Sequence, residues 1–266
     1  MKKDHQVVWI VGASSGIGKA LAQEMASQGH SIVLSARNQA VLKSVALTLT
    51  NAANNSKHLV LPLDLEIPTQ FEPAFKQAID YFGKIDMLVL CGGVSQRAFA
   101  EASPMELDRK IMEINYFGTI GLTKTILPYF IQKKQGHFVV ISSISGKFGF
   151  FLRSAYSASK HALHGFFESL RLEVYQHNIN VTLICPGKIK TDISKHALKG
   201  NLQPSLIMDE AQEKGMNVDQ CAKEISQAIV RKEKERIIGG KETLGVYIQR
   251  FAPSLLFRIL SKQKIE

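Results

Sequence analysis

Tyr156 and Lys160 stand four residues apart, so on a helix their side chains share one face. An ammonium beside a phenol favours the phenolate, which would draw the tyrosine down from about 10 towards the working range of an acid/base catalyst. Ser143 lies thirteen residues before Tyr156, at the end of an apolar run, where its hydroxyl could hold an oxygen on which charge develops. Much earlier, Gly12-Ala13-Ser14-Ser15-Gly16-Ile17-Gly18 follows the apolar run Val7-Val11 and opens a helical pattern that ends near Gly29. Glycines there let the backbone turn tightly and approach a pyrophosphate, whose charge the N–H groups of a helix start favour. A Tyr/Lys pair alone is more often surface or packing, and a glycine loop alone is often a turn. Strand, loop and helix in this order make phosphate binding the stronger interpretation.

These residues need a scaffold, and the hydrophobic pattern supplies one. Short, nearly all-apolar runs recur at Val7-Val11, Ser31-Ser35, His58-Leu61, Met87-Leu90, His137-Ile141, Val181-Ile184 and Arg236-Ile238. Between them, apolar residues take helical spacing, as in Ile17, Leu21, Ala22, Met25 and in Phe166, Phe167, Leu170, Val174. Alternating β and α units with apolar strands predict an α/β protein, a single doubly wound parallel sheet covered by helices on both faces. No repeat or linker divides residues 1–266, so one domain is expected. Ser103-Pro104-Met105-Glu106 has the pattern of a capping box, and Asn217 is placed to cap a helix from Val218. Residues 188–216, with Pro204, two glycines and weak periodicity, follow a strand end where ligands bind in such sheets and are expected to form a mobile substrate lid.

Composition narrows the classes further. With 45% hydrophobic and 21% charged residues, the chain is neither disordered nor fibrous. The net charge of +10 raises nucleic acid as a partner, but residues 231–266 hold nine Lys/Arg against four Glu, half of that excess. The rest is spread without basic runs interleaved with aromatics, so nucleic acid is excluded as the main partner. Cys91, Cys185 and Cys221 are odd in number and widely spaced, which argues against a disulfide framework or a metal site and for a reducing, cytoplasmic setting. The run after Met1-Lys2-Lys3 is too short for a secretory leader and leads straight into glycines. No stretch has the 18–20 or so apolar residues of a membrane span.

The GxxxGxG spacing of Gly12, Gly16 and Gly18, the YxxxK of Tyr156 and Lys160, Ser143, Asn115 and the run Pro186-Gly187 with Ile189 and Thr191 together resemble the classical short-chain dehydrogenase/reductases. The likeness spans residues 7 to about 192 in the family's order. It implies a Rossmann fold and hydride transfer between a nicotinamide and a carbonyl carbon, Tyr156 giving the proton to the carbonyl oxygen and Ser143 holding that oxygen. Lys160 would also hold the nicotinamide ribose, and Asn115 would support a water relaying protons to Lys160. The cofactor-binding set so implied is Gly12, Ser14, Ser15, Gly16, Ile17, Gly18, Arg37, Asn38, Asp64, Leu65, Gly92, Asn115, Tyr156, Lys160, Pro186, Gly187, Ile189 and Thr191. Asp64 matches the family residue that contacts adenine, and a turn cap is its plainer role. After the second strand the chain has Ser35-Ala36-Arg37-Asn38 with no acid, so Arg37 and Ser14 favour the 2′-phosphate of NADP(H) over NAD(H). Two departures stand out: Leu90-Cys91-Gly92-Gly93 replaces the usual Asn-Asn-Ala-Gly, which questions adenine-side contacts and local sheet bonding, and Val11 replaces a Thr.

Phe148, Phe150, Phe151 and Leu152, between Ser143 and Tyr156, occupy the place where family members line the substrate pocket, which suggests an apolar ketone or alcohol. Lys195 and His196 in the lid are candidate polar contacts. Thr243 to Leu260 is rich in large apolar residues and split by Pro253. Three roles are open for this C-terminal extension (241–266): a core helix or subunit contact, closure over an apolar substrate, and peripheral membrane contact aided by Arg250, Arg258, Lys262 and Lys264. The stretch Ser154-Ala155-Tyr156 to Val174 is most similar to the membrane-associated branch called dehydrogenase/reductase member seven. The resemblance also implies a homodimer or homotetramer through the helices of Ser103 to Gln132 and Ala155 to Tyr175. A carbonyl reductase is the leading expectation. A 3-oxoacyl-[acyl-carrier-protein] reductase shares its chemistry, with Lys188, Lys190 and Lys195 as a basic rim, and an NADPH-binding sensor without turnover would not need Ser143, Tyr156 and Lys160 complete.

Overall fold

The computed structural model describes residues 5–49 and 56–262. Met1-Lys2-Lys3 and Lys264 lie outside the described residues. Seven strands, β1 (Val7–Val11), β2 (Ser31–Ser35), β3 (His58–Val60), β4 (Met87–Leu90), β5 (Gly136–Ile141), β6 (Ile179–Pro186) and β7 (Glu235–Ile238), pair in parallel in the order β3-β2-β1-β4-β5-β6-β7. The order reverses between β1 and β4, and the crevice at the carboxyl ends of those strands is where a doubly wound sheet binds ligands.

Alternation along the strands explains why the inner ones are nearly all apolar. Trp9, Val33, Leu88 and Phe138 face one helical layer, α3 (Phe71–Phe82), α5 (Gly118–Lys133) and α6 (Ser154–Glu173). Ile10, Leu34, Val89 and Val139 face the other, α1 (Gly16–Ser27), α2 (Gln39–Ala46) and α8 (Val218–Val230). With both faces covered, a polar residue buried in an inner strand needs a partner. Ser35, fully buried in β2, has its partners: Trp9 Nε1 donates to its hydroxyl at 2.8 Å and that hydroxyl donates to the Leu61 carbonyl at 2.6 Å.

Helix α4 (Met105–Met112) starts one residue later than a capping box at Ser103 requires. Pro104 is extended (φ −68°, ψ 150°) and its carbonyl accepts from Leu107 N and Asp108 N, so Pro104 is the cap. Ser103 is drawn instead into a side-chain network, accepting from Gln96 Nε2 at 3.1 Å and donating to Asp108 Oδ1 at 2.8 Å. Asn217 does cap α8, its Oδ1 accepting from Asp219 N and Gln220 N. Strand β6 extends beyond Val181-Ile184 at both ends because neighbours pair with its polar and proline residues, Asn180 with His137 and Pro186 with Ile238.

Residues 188–216 cross beyond the end of β6 and include only the short helix α7 (Glu210–Glu213). The segment is bound to the loop after β4: Leu198 N donates to Ser95 O and Arg97 N to Leu198 O, each at 2.8 Å. The chain then ends in a helix pair, α9 (Leu244–Phe251) and α10 (Pro253–Leu260). Among the described residues, no helix is long and apolar enough to cross a membrane.

Candidate active site

One cavity of about 860 Å3 opens at the carboxyl ends of the strands. Gly12, Ser14, Ser15, Gly16 and Ile17 line it after β1, Arg37 after β2, Asp64 and Leu65 after β3, and Gly92 after β4. Ser143, Phe148, Phe150, Phe151, Leu152, Tyr156 and Lys160 line it from β5 to α6, and Pro186, Gly187, Ile189, Thr191 and His196 from the end of β6 onwards. Sequence separation hides this convergence, since these residues come from the ends of six different strands and the segments that follow them.

The glycine loop has the geometry of an anion cradle. Gly12 (φ 86°) and Gly16 (φ 52°) adopt left-handed backbone, which a side chain would strain. A Cβ on Gly12 would lie 2.6 Å from Gly92 N, and one on Gly18 2.2 Å from Gly12 O. Gly18 therefore serves the packing of α1 under the loop and does not line the cavity. Ser15 precedes α1 in extended conformation and makes no capping bond, so no side chain covers the helix's first-turn N–H groups. A cradle of bare backbone that a Cβ would fill, continuous with Arg37 on one side and with Tyr156 on the other, fits a dinucleotide.

The unusual Leu90-Cys91-Gly92-Gly93 leaves the sheet intact. Cys91 N donates to Val11 O at 2.9 Å, and Leu65 packs where a Cβ on Gly92 would come within 2.8 Å of its Cδ1. Val11 is buried at the end of β1 in the core layer of Trp9 and Leu90.

Tyr156 and Lys160 are both buried on α6, with Lys160 Nζ 5.8 Å from the Tyr156 ring centroid. Nζ donates to the Ile141 carbonyl at 2.9 Å. Burial drives the two groups in opposite directions, Lys160 down to about 8 and Tyr156 above the ordinary tyrosine value. The expected lowering of Tyr156 by Lys160 is thus not what the folded chain has. Loss of water around the phenol outweighs the nearby charges, and the charge that most opposes it is that of Arg153, followed by a hydrogen bond with Ser143. The Ser143 hydroxyl also accepts from Ser145 N at 3.0 Å, which fixes it at the start of the turn after β5.

Besides Gly18, three sequence candidates stand elsewhere than expected. Asn115 is fully buried in a π-helical turn, Glu113–Phe117, and does not line the cavity. Its Nδ2 donates to Val94 O (2.9 Å) and Ser159 Oγ (3.0 Å) and its Oδ1 accepts from Val94 N (2.8 Å), so its side-chain donors brace the β4 loop against α6 and are not free for a water relay. Asn38 is exposed and caps α2 through Val41 N at 3.1 Å, outside the cavity. Lys195 pairs with Asp192 at 2.8 Å within residues 188–216 and does not line the cavity either. Asp64 lines the cavity and takes the plainer role of turn cap, its Oδ1 accepting from Glu66 N at 3.1 Å.

Other residues reach the site without any local signal in the sequence. Gln96, fully buried, accepts at Oε1 from Ala155 N (2.8 Å) and Tyr156 N (3.2 Å) and so caps the helix that carries the tyrosine. Arg97 and Arg153 line the cavity and pair with Asp209 of the 188–216 segment. From the C-terminal pair, whose apolar run leaves closure over the substrate as one of three open roles, Gly245, Ile248, Leu256 and Ile259 line it as well, with Leu256 packed on Ile144 and Phe148. His164 and Cys185, joined by no sequence pattern, come within 3.7 Å; with Glu235 they place three ligand-type atoms within 4.8 Å of one another, although Lys147 pairs with Glu235 at 2.5 Å.

The model of the family described as short chain dehydrogenase matches residues 6–201. "Dehydrogenase/reductase SDR family protein 7-like" from Drosophila melanogaster is 38% identical over 264 residues, 98% of this chain and 81% of that protein. "Dehydrogenase/reductase SDR family member 7B" from Mus musculus is 36% identical over 262 residues, 97% of this chain and 81% of that protein. Among solved structures, a short chain dehydrogenase/reductase from Burkholderia phymatum in complex with NAD superposes with a TM-score of 0.82 at 21% identity, covering 96% of each chain. The family model, these relatives and the shared doubly wound fold lead to one assignment: the chain belongs to the short-chain dehydrogenase/reductase family of oxidoreductases, on its member-seven-like branch.

Proposed function

We propose that this protein is an NADP(H)-dependent carbonyl reductase or alcohol dehydrogenase acting on an apolar ketone or secondary alcohol, with Tyr156 as acid/base. The observation that carries this is the single cavity in which the glycine cradle and Arg37 are continuous with Ser143, Tyr156 and Lys160. Bound nicotinamide supplies or accepts the hydride. In reduction, Tyr156 gives its phenolic proton to the carbonyl oxygen while the Ser143 hydroxyl donates a hydrogen bond to the same oxygen, and oxidation runs the proton back. Tyr156 is protonated at neutral pH, the form reduction needs, and burial shifts it further that way. Lys160 holds the ribose and returns a proton to the tyrosine, a role suited to an amine that burial has brought down to about 8.

Arg37 is the basis for NADP(H), since a guanidinium matches a phosphate and no carboxylate stands in Ser35-Ala36-Arg37-Asn38 to bind a ribose 2′-OH. Phe148, Phe150 and Phe151, with Ile248 and Leu256 from the C-terminal helices, supply the apolar wall. In the same reading, residues 188–216 act as a lid. Phe117 on the turn before α5 and Leu172 at the end of α6, both exposed, offer apolar contacts for a homo-oligomer. Exposed Phe251, Leu255 and Phe257 beside Arg250, Arg258 and Lys262 suit peripheral contact with an anionic membrane.

The test is cofactor consumption by the purified protein, NADPH against NADH, over carbonyls graded from short polar ketones through steroids to long acyl ketones, with Tyr156→Phe as control. Turnover that requires NADPH, favours apolar ketones and vanishes in the control is expected. Comparable turnover of short polar and long apolar ketones overturns the substrate class, and tight NADPH binding without turnover on the whole panel overturns the enzymatic reading in favour of a sensor.

A further inference from the structure

Three separate parts of the chain meet at one carboxylate. Asp209 precedes α7 at the position where an aspartate ordinarily caps its own helix, yet its side chain makes no such bond. It reaches across to two arginines instead: Oδ1 accepts from Arg97 Nη1 and Oδ2 accepts from Arg153 Nη2 at 2.5 Å. Arg97 lies on the loop after β4 and Arg153 is the residue before α6, three positions from Tyr156. Arg153 Nη1 also donates to Ser95 Oγ and, at 3.2 Å, to Gln96 O, while Gln96 caps α6. All three members of the ion cluster line the cavity, with side chains only 14–20% exposed.

We infer that Asp209 is a positioning residue, a latch that fastens the 188–216 segment over the substrate end of the cavity by bridging Arg97 and Arg153, and so links lid closure to the seating of the helix that carries Tyr156. The chemistry favours this use. One carboxylate shared by two guanidiniums out of bulk water makes charge-assisted bonds stronger than neutral ones. Removing it leaves two cations facing each other in a half-closed cavity, a larger loss than that of an exposed pair. The backbone bonds of Leu198 to Ser95 and Arg97 hold the same lid to the same loop. The latch therefore acts on the distal part of the lid, around α7, whose Gln212 Nε2 donates to Ile189 O at 3.0 Å beside the cavity.

The latch concerns the site of the proposed oxidoreductase, and its test has an arm that needs no turnover. Backbone amide hydrogen exchange is compared in the full-length wild-type protein, Asp209→Ala and Asp209→Glu. Asp209→Ala is expected to speed exchange in residues 189–214 by about tenfold or more while leaving α5 at its wild-type rate, and Asp209→Glu, which keeps the carboxylate, to recover most of the protection. In the kinetic arm, Asp209→Ala raises KM for the carbonyl substrate more than it lowers kcat and leaves NADPH affinity unchanged, and Asp209→Glu partly restores KM. Unchanged exchange across 189–214 in Asp209→Ala, or equal loosening there and in α5, overturns the latch. Absence of turnover in the wild type counts against the oxidoreductase reading alone, and exchange then decides the latch.

Discussion

Gln96 terminates the backbone of Tyr156: its buried side-chain carbonyl accepts the N–H groups of Ala155 and Tyr156 at 2.8 and 3.2 Å, 59 and 60 residues away in sequence. The first turn of α6, which must aim the tyrosine into the cavity, is thus capped from another layer of the fold and not by Arg153, which precedes the helix and makes no capping bond. Gln96→Leu keeps the volume near constant but strands two buried donors, so a stability loss of about 1–3 kcal/mol by denaturant titration is expected. Any turnover should fall with it in protein confirmed to be folded, because the displaced turn carries Tyr156, the proposed acid/base group.

Tyr156→Phe and Ser143→Ala test the reacting centre directly. Removing the proton donor is expected to lower kcat by about 10²–10⁴-fold, and removing the hydroxyl that steadies the oxygen by about 10²–10³-fold. NADPH affinity should change little in either, as measured by fluorescence titration. Full activity in Tyr156→Phe would sink the assignment of roles.

Arg37→Gln separates the two cofactors. Losing charge-assisted bonds of about 1.5–3 kcal/mol should cost NADPH about 10–100-fold in kcat/KM. NADH, with no phosphate for Arg37 to meet, should be nearly unaffected. Equal losses with both cofactors would mean that Arg37 does not read the 2′-phosphate.

Stability should fall on acidification below the ordinary histidine range. His137 is buried in β5, its Nε2 2.8 Å from a Thr182 hydroxyl that itself donates to Glu233 O, and burial lowers its pKa to about 4. Between about 6.5 and 4 the unfolded chain binds the proton that the folded chain refuses, so the stabilisation is complete above about 6.5 and is lost towards 4, at up to about 1.4 kcal/mol per pH unit. Unfolding midpoints measured from pH 7 to 4 should decline less steeply in His137→Gln, which retains a donor for Thr182 and does not titrate.

Gly245 sets how closely the C-terminal pair approaches the cavity, since a Cβ there would lie 2.8 Å from Phe148 Cζ. Gly245→Val should push α9 off Phe148 at a cost of about 1–3 kcal/mol. If α9 and α10 wall the substrate site, KM for apolar ketones rises while KM for NADPH does not. Unchanged ketone kinetics would assign the pair to another role.

The sequence by itself determined the parts of this protein that depend on local order. Apolar runs of strand length, helical spacing between them and the glycine loop between β1 and α1 define a doubly wound sheet, because each is a pattern within a few residues and the chain's own stereochemistry acts at that range. Tyr156, Lys160 and Ser143 were legible for the same reason, two on one helix face and one at a strand end. Only the tertiary structure decided what distant groups do to one another. It placed Gln96 on the N-terminus of α6, brought Asp209 between Arg97 and Arg153, turned the Asn115 amide to bracing Val94 and Ser159, and made burial, not Lys160, the dominant influence on Tyr156. Hydrogen bonds, ion pairs and loss of water depend on distances between atoms far apart in the chain, and those distances exist only once both faces of the sheet are packed.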